Sequence, residues 1–152
     1  METNVHHLPP DLADFLVHVS TGRRPQTSVR YVRVLEHLAR FVAEIKLDVV
    51  AHQLGTDCAM LLGSEREFDC GSAFWRVFGY DELVCCLPSF IEDEWLLPQH
   101  ADARTQVSLT ARLLPWMRRR GIIDMSLCAC AYWDAEYAVK KARARLEVCA
   151  KP

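Results

Sequence analysis

The sequence predicts an all-α fold, a compact multi-helix bundle of about five to seven helices that makes one domain of residues 1–152. Three observations predict it. Apolar residues recur at steps of three and four along most of the chain, the strict alternation of a half-buried strand is scarce, and Gly and Pro punctuate the series of periodic runs. The length suits a single core, which at this size buries roughly two-thirds of the unfolded surface without the help of disulfides. With 51% hydrophobic and 25% charged residues the composition is that of a globular protein, with no disordered or fibrous bias.

Each element follows from local signals. The first eight or so residues, including His6 and His7, carry no pattern and are expected to be mobile. Pro9, Pro10 and Asp11 start a first helix that runs to about Val19, with Leu12, Phe15, Leu16 and Val19 on one side. A turn over residues 20–26 leads to a second helix, capped by Thr27 or Ser28 and ending near Lys46. A short helix from Asp48 to Leu54 is closed by Gly55. Leu61 to Gly71 contains Gly63, Ser64, Asp69 and Gly71 and reads as a connection. Two short helical turns follow at Ser72 to Phe78 and Asp81 to Leu87, separated from their neighbours by Gly79 and Pro88. Ser89 is placed to cap another short helix carrying Phe90, Ile91, Trp95 and Leu96. Asp102 opens a long helix that ends at Arg118, Arg119, Arg120 and Gly121, where cations suit the helix dipole and glycine supplies the stop; Pro115 is expected to kink or split it.

The last helix starts at Asp124 or Ser126 and runs to about Cys149. Along it Ala135, Ala138, Val139, Ala142, Leu146 and Cys149 follow at steps of 3, 4, 3, 4 and 3, one narrow stripe over four turns. Small residues in that stripe let a neighbouring helix approach closely, either within the domain or from a partner chain. Ala135, Ala138, Val139, Ala142 and Leu146 are therefore candidate partner-binding residues. Lys140, Lys141, Arg143 and Arg145 lie off the stripe.

Charge is unevenly distributed although the net value is only −2. Residues 1–46 hold 6 basic and 5 acidic groups, residues 47–105 hold 3 and 11, and residues 106–152 hold 9 and 4. In the second helix Tyr31, Val34, Leu35, Leu38, Phe41, Val42 and Ile45 share one side, leaving Arg30, Arg33, Glu36, His37, Arg40 and Glu44 on the other. An arginine-bearing face of this kind is either an ordinary solvated surface or a contact for phosphates.

The spacing of Gly22, Pro25, Thr27, Tyr31, Leu35, Leu38 and Phe41, with Leu12, Phe15 and Leu16 ahead of it, resembles the opening of the core-binding domain of tyrosine recombinases and phage-type integrases. The resemblance covers about Asp11 to Ile45. It implies a compact helical bundle that clamps double-stranded DNA; a DNA-binding module of this chain would hold phosphates with Arg23, Arg24, Arg30, Arg33 and Arg40, joined by Arg118, Arg119 and Arg120 and the final helix. That family's catalytic domain uses an arginine, a His-x-x-Arg element and a tyrosine nucleophile spread over more than a hundred residues. Neither His37 nor His100 is read as supplying the His-x-x-Arg element, so the chain is expected not to cut DNA.

Other chemistry has little support. Of the seven cysteines, Cys85, Cys86, Cys128 and Cys130 come in close pairs, but no Cys-x-x-Cys is present to preorganise a tetrahedral metal, so the thiols are read as buried, reduced small hydrophobes and no metal is expected. Glu92, Asp93 and Glu94 read as a solvated turn, and the aromatic residues, Trp133 and Tyr137 among them, as core filling. Phosphate-cradling glycine loops and a Gly-x-Ser-x-Gly elbow are absent, so no catalytic residue and no cofactor is assigned. The chain opens without a charged-then-apolar leader and contains no apolar run of roughly 20 residues, from which a cytoplasmic protein with no membrane span is expected. Two functions remain: a non-enzymatic helical protein-protein interaction or regulatory module, binding another protein or itself, and a small DNA-binding module.

Overall fold

In the computed structural model, which describes residues 8–150, eight helices and no strand are present among the described residues: α1 (Pro10–Ser20), α2 (Pro25–Glu44), α3 (Leu47–Leu54), α4 (Thr56–Phe68), α5 (Ala73–Val77), α6 (Tyr80–Phe90), α7 (His100–Arg119) and α8 (Met125–Ala150). The mobile N-terminus expected from the sequence, with His6 and His7, lies outside these residues. The all-α class is as expected, with one helix more than the upper expectation.

That helix is α4, which occupies the stretch expected to be a connection. Gly63 does not break it. A Cβ at Gly63 would sit 3.1 Å from Leu47 Cδ1, so the glycine lets α4 pack closely on α3 instead of making a turn. The real turn comes later. The Asp69 carboxylate accepts from the Gly71 N–H at 3.1 Å and the Ser72 hydroxyl at 2.6 Å, and the Ser72 bond leads the contacts that hold its pKa below the usual carboxylate range.

Helix starts also differ from expectation. α2 begins at Pro25, whose missing N–H costs nothing in the first turn; Thr27 and Ser28 N–H groups donate to the Arg24 carbonyl, and neither side chain caps the helix. At its other end the carbonyls of Val42 and Ala43 accept from Arg66 Nη2 at 3.5 Å and from the Cys70 thiol at 3.9 Å, so α4 and the turn that follows it supply missing partners. α6 runs through Pro88 to Phe90, and the helix expected from Ser89 is replaced by turns over residues 91–99. Pro115 does not split α7.

α7 stops in a Schellman arrangement: Ile122 N–H donates to the Met117 carbonyl, Gly121 N–H to that of Arg118, and Gly121 has φ +68°. Asp124 opens α8, its carboxylate accepting from the Ser126 N–H and hydroxyl at 2.9 and 2.6 Å. Cys128, at φ −117° and ψ 16°, kinks the helix after its first turn. Asp81 Oδ1 accepts the Asp124 N–H at 2.9 Å and so ties the start of α6 to the start of α8.

The core lies where α8 crosses α6 and α7, and where α2 packs on α1 and α7. Phe15 meets Trp116 with ring centroids 5.2 Å apart, and Phe41 meets Phe90 at 5.3 Å and Trp95 at 5.2 Å. Gln106, fully buried, is satisfied inside this core by three backbone groups: it donates to the carbonyls of Phe90 and Trp95 and accepts from Leu97 N–H.

Candidate interaction surfaces

The small-residue stripe of α8 faces inward. Ala135, Val139 and Ala142 are buried in the core, while Ala138 and Leu146 are half-buried against it, and only Cys149 is exposed. The partner-binding assignment of Ala135, Val139 and Ala142 is thereby corrected: these side chains are covered by α6 and α7 of the same chain. Their smallness serves the close approach of helices within one domain.

The opposite side of α8 is open and apolar. Trp133 and Tyr137, one turn apart, are 53% and 63% exposed, and Leu127 and Val148 are more open still. Reading Trp133 and Tyr137 as core filling is corrected. At 100° per residue Cys130, Trp133, Tyr137, Ala144 and Val148 fall opposite Ala135, Val139 and Ala142, so the helix is apolar on two sides, a signal already present in the sequence. Cations border this ridge: the Arg118 guanidinium lies 5.7 Å from the Tyr132 ring centroid and 5.8 Å from that of Trp133, and Lys141 Nζ lies 5.5 Å from that of Tyr137. A second exposed apolar stripe, Met60, Leu61 and Phe68, lies on α4.

The arginines do not act as one group. Arg23 and Arg24 are exposed in the turn before α2, and Arg30, Arg33 and Arg40 are exposed on α2 itself. Arg33 is 3.8 Å from Asp102. At the end of α7, Arg118 is stacked on α8 and Arg120 lies 5.0 Å from the Trp116 ring centroid and 3.6 Å from Asp14, whereas Arg119 is exposed with no ion pair among the described residues. Residues missed from the sequence join the basic side. A groove between α2 and α7 is lined by Thr27, Arg30, Arg104 and Ser108, and a neighbouring one between α7 and α8 by Arg104, Ser108, Arg143 and Glu147. Only the fold pairs Arg30 with Arg104, since they are far apart in the chain.

His37, Leu38, Ala39 and Arg40 do have the His-x-x-Arg spacing, yet His37 is occupied structurally. Its Nε2 lies 2.6 Å from the Trp95 carbonyl, which can only accept, so Nε2 carries the proton, and its ring packs on Phe90 and Trp95. The cysteines are scattered: Cys86 and Cys128 are buried and Cys58 and Cys85 half-buried, but Cys70, Cys130 and Cys149 are exposed, which corrects the expectation of uniformly buried thiols. All seven are free. Burial pushes the Cys86 thiol up to about 12 and the Cys128 thiol, which also faces Asp81, up to about 11. Among the described residues no three His, Cys, Asp or Glu side chains gather in a way that would hold a metal. Within Glu92, Asp93 and Glu94, all exposed, Glu94 pairs with Lys46 at 2.8 Å. No described helix is long and apolar enough to cross a membrane. Comparison of the chain with protein-family models, curated proteins and solved structures finds no match.

Proposed function

We propose that the protein is a non-enzymatic helical interaction module that binds a protein partner through the outer face of α8. The observation that carries this reading is the pair Trp133 and Tyr137, side by side and open to solvent on a helix whose other side is built into the core. Single exposed apolar residues are normal on protein surfaces, but adjacent aromatics at helical spacing form the kind of anchor that a partner's groove or helix takes up. Binding hot spots are enriched in Trp, Tyr and Arg, and Arg118 stacks on Trp133 here. Replacing Trp133 and Tyr137 together with Ser is expected to leave the helical spectrum and melting temperature nearly unchanged while removing partners captured by the wild-type chain from cell extract. Identical capture by both chains would end this reading.

A second reading has its own support. Arg30, Arg104 and Arg143 line adjoining grooves with the hydroxyl side chains of Thr27 and Ser108, an arrangement suited to the phosphates of double-stranded DNA and in keeping with the resemblance to integrase core-binding domains. Phosphate binding falls steeply with salt, so random duplex DNA titrated at several salt concentrations tests it directly. Replacing the three arginines with Gln is expected to flatten the salt slope by about one unit per lost contact. A wild-type chain with no salt-sensitive affinity would remove this reading.

A further inference from the structure

We infer that the occupant of the outer face of α8 is a second copy of this chain, packed antiparallel about a two-fold axis at Tyr137; the inference rests on the reading of that face as an interaction surface. A two-fold interface must be complementary to its own reversal, because each residue meets its counterpart on the same patch. The outer ridge of α8 has this property. Reversed about Tyr137, Trp133 falls opposite Lys141, Cys130 opposite Ala144 and the exposed Leu127 beside the exposed Val148, with the tyrosines meeting at the axis. The ridge from Leu127 to Val148 is about 32 Å long at 1.5 Å per residue, enough for a helix pair to engage on both sides of the axis.

Charge favours the same arrangement. Asp134 lies on this face three residues before Tyr137 and Lys141 four residues after it, so reversal places each beside the other's counterpart and the axis repeats the pair. Within one chain the two are about 10.5 Å apart along the helix, too far to pair directly. Both are exposed, and neither forms an ion pair among the described residues. Lys141 already leans over the Tyr137 ring, which brings its ammonium next to the proposed axis. A parallel pair would instead set Asp134 against Asp134 and the run Lys140 and Lys141 against its own copy, an arrangement that like-charge repulsion opposes.

Sedimentation equilibrium of the full chain over a range of micromolar concentrations tests this. The mass should rise with concentration toward twice the 17.4 kDa of one chain. Asp134→Lys and Lys141→Asp should each weaken the dimer by about tenfold, and the double reversal should restore it to within about threefold of the wild type. Circular dichroism identifies any variant that fails to fold, and Tyr137→Glu, also at an exposed position, should give a monomer. A chain that stays monomeric at every concentration, or a dimer indifferent to the single reversals or not rescued by the double one, overturns the inference. If the monomer nevertheless still loses captured partners on replacement of Trp133 and Tyr137, only the identity of the occupant is wrong and the interaction reading stands.

Discussion

Gln106 donates its side-chain N–H to the Trp95 carbonyl at 3.0 Å, an oxygen that also takes the His37 Nε2 proton at 2.6 Å. Two helices, α2 and α7, thus hold one atom of the irregular segment 91–99, and Gln106 holds two more backbone groups of the same region through Phe90 and Leu97. The segment keeps its shape without a helix because its polar backbone is satisfied from a buried side chain.

Replacing Gln106 with Leu leaves the Phe90 carbonyl and the Leu97 N–H without their side-chain partner at nearly constant volume, while the Trp95 carbonyl keeps His37. We expect a loss of about 2–3 kcal/mol, read from urea denaturation, because each unsatisfied buried group costs roughly 1–3 kcal/mol and part of the segment can rehydrate. Gln106→Glu should be worse, since a carboxylate would face two carbonyls. A Leu variant as stable as the wild type would show that the segment is held by apolar contacts alone.

Gly121→Ala tests the end of α7. No atom lies within 4 Å of a Cβ built at Gly121, so the only penalty is the left-handed conformation at φ +68°. A destabilisation of about 1 kcal/mol is expected. The same change at Gly63, in ordinary helical conformation but 3.1 Å from Leu47 Cδ1, acts through packing and should loosen α3 against α4.

Much of the fold was legible in the sequence and part of it was hidden for identifiable reasons. The long periodic helices α2, α7 and α8 were readable because apolar spacing persists over four or more turns. α4 was not, because glycine marks turns and close helix contacts alike, and only the position of Leu47 separates the two uses. The start of α2 was misplaced because Thr27 and Ser28 look like caps, whereas Pro25 already satisfies the geometry of the first turn. On the surface, the ridge of Trp133 and Tyr137 was readable from the helix angle once both sides of α8 were considered. The convergence of Arg30, Arg104 and Arg143 was not, since it joins three helices distant in sequence.

Alkaline pH should expose the buried thiols. The folded-state values of Cys86 and Cys128 are raised above the ordinary thiol value of about 8.5, so the stability linked to them is complete below that pH and is lost as pH rises toward 11 and 12. Urea midpoints measured from pH 8 to 10.5 are expected to fall, and the fall should be shallower in a Cys86→Ala, Cys128→Ala chain. Parallel slopes would show that other groups govern the alkaline limb.

Arg30, Arg33 and Arg40, replaced singly with Gln, should each change stability by less than about 0.5 kcal/mol, because all three are exposed and the one ion pair they make among the described residues, Arg33 with Asp102, is long at 3.8 Å with its arginine 60% exposed. Thermal melts of the three variants measure this. A large loss in any of them would give that arginine a role in holding α2.

The inward stripe of α8 has a consequence for biosynthesis. Ala135, Val139 and Ala142 complete the cover over α6 and α7, yet they belong to the last of the described helices to leave the ribosome. At about 5–20 residues per second the apolar sides of α6 and α7 wait on the order of seconds after their own synthesis before that cover arrives. The nascent chain therefore passes through a stage that is sticky by construction, a natural client for holding chaperones, and release of the final helix is the event that ends it.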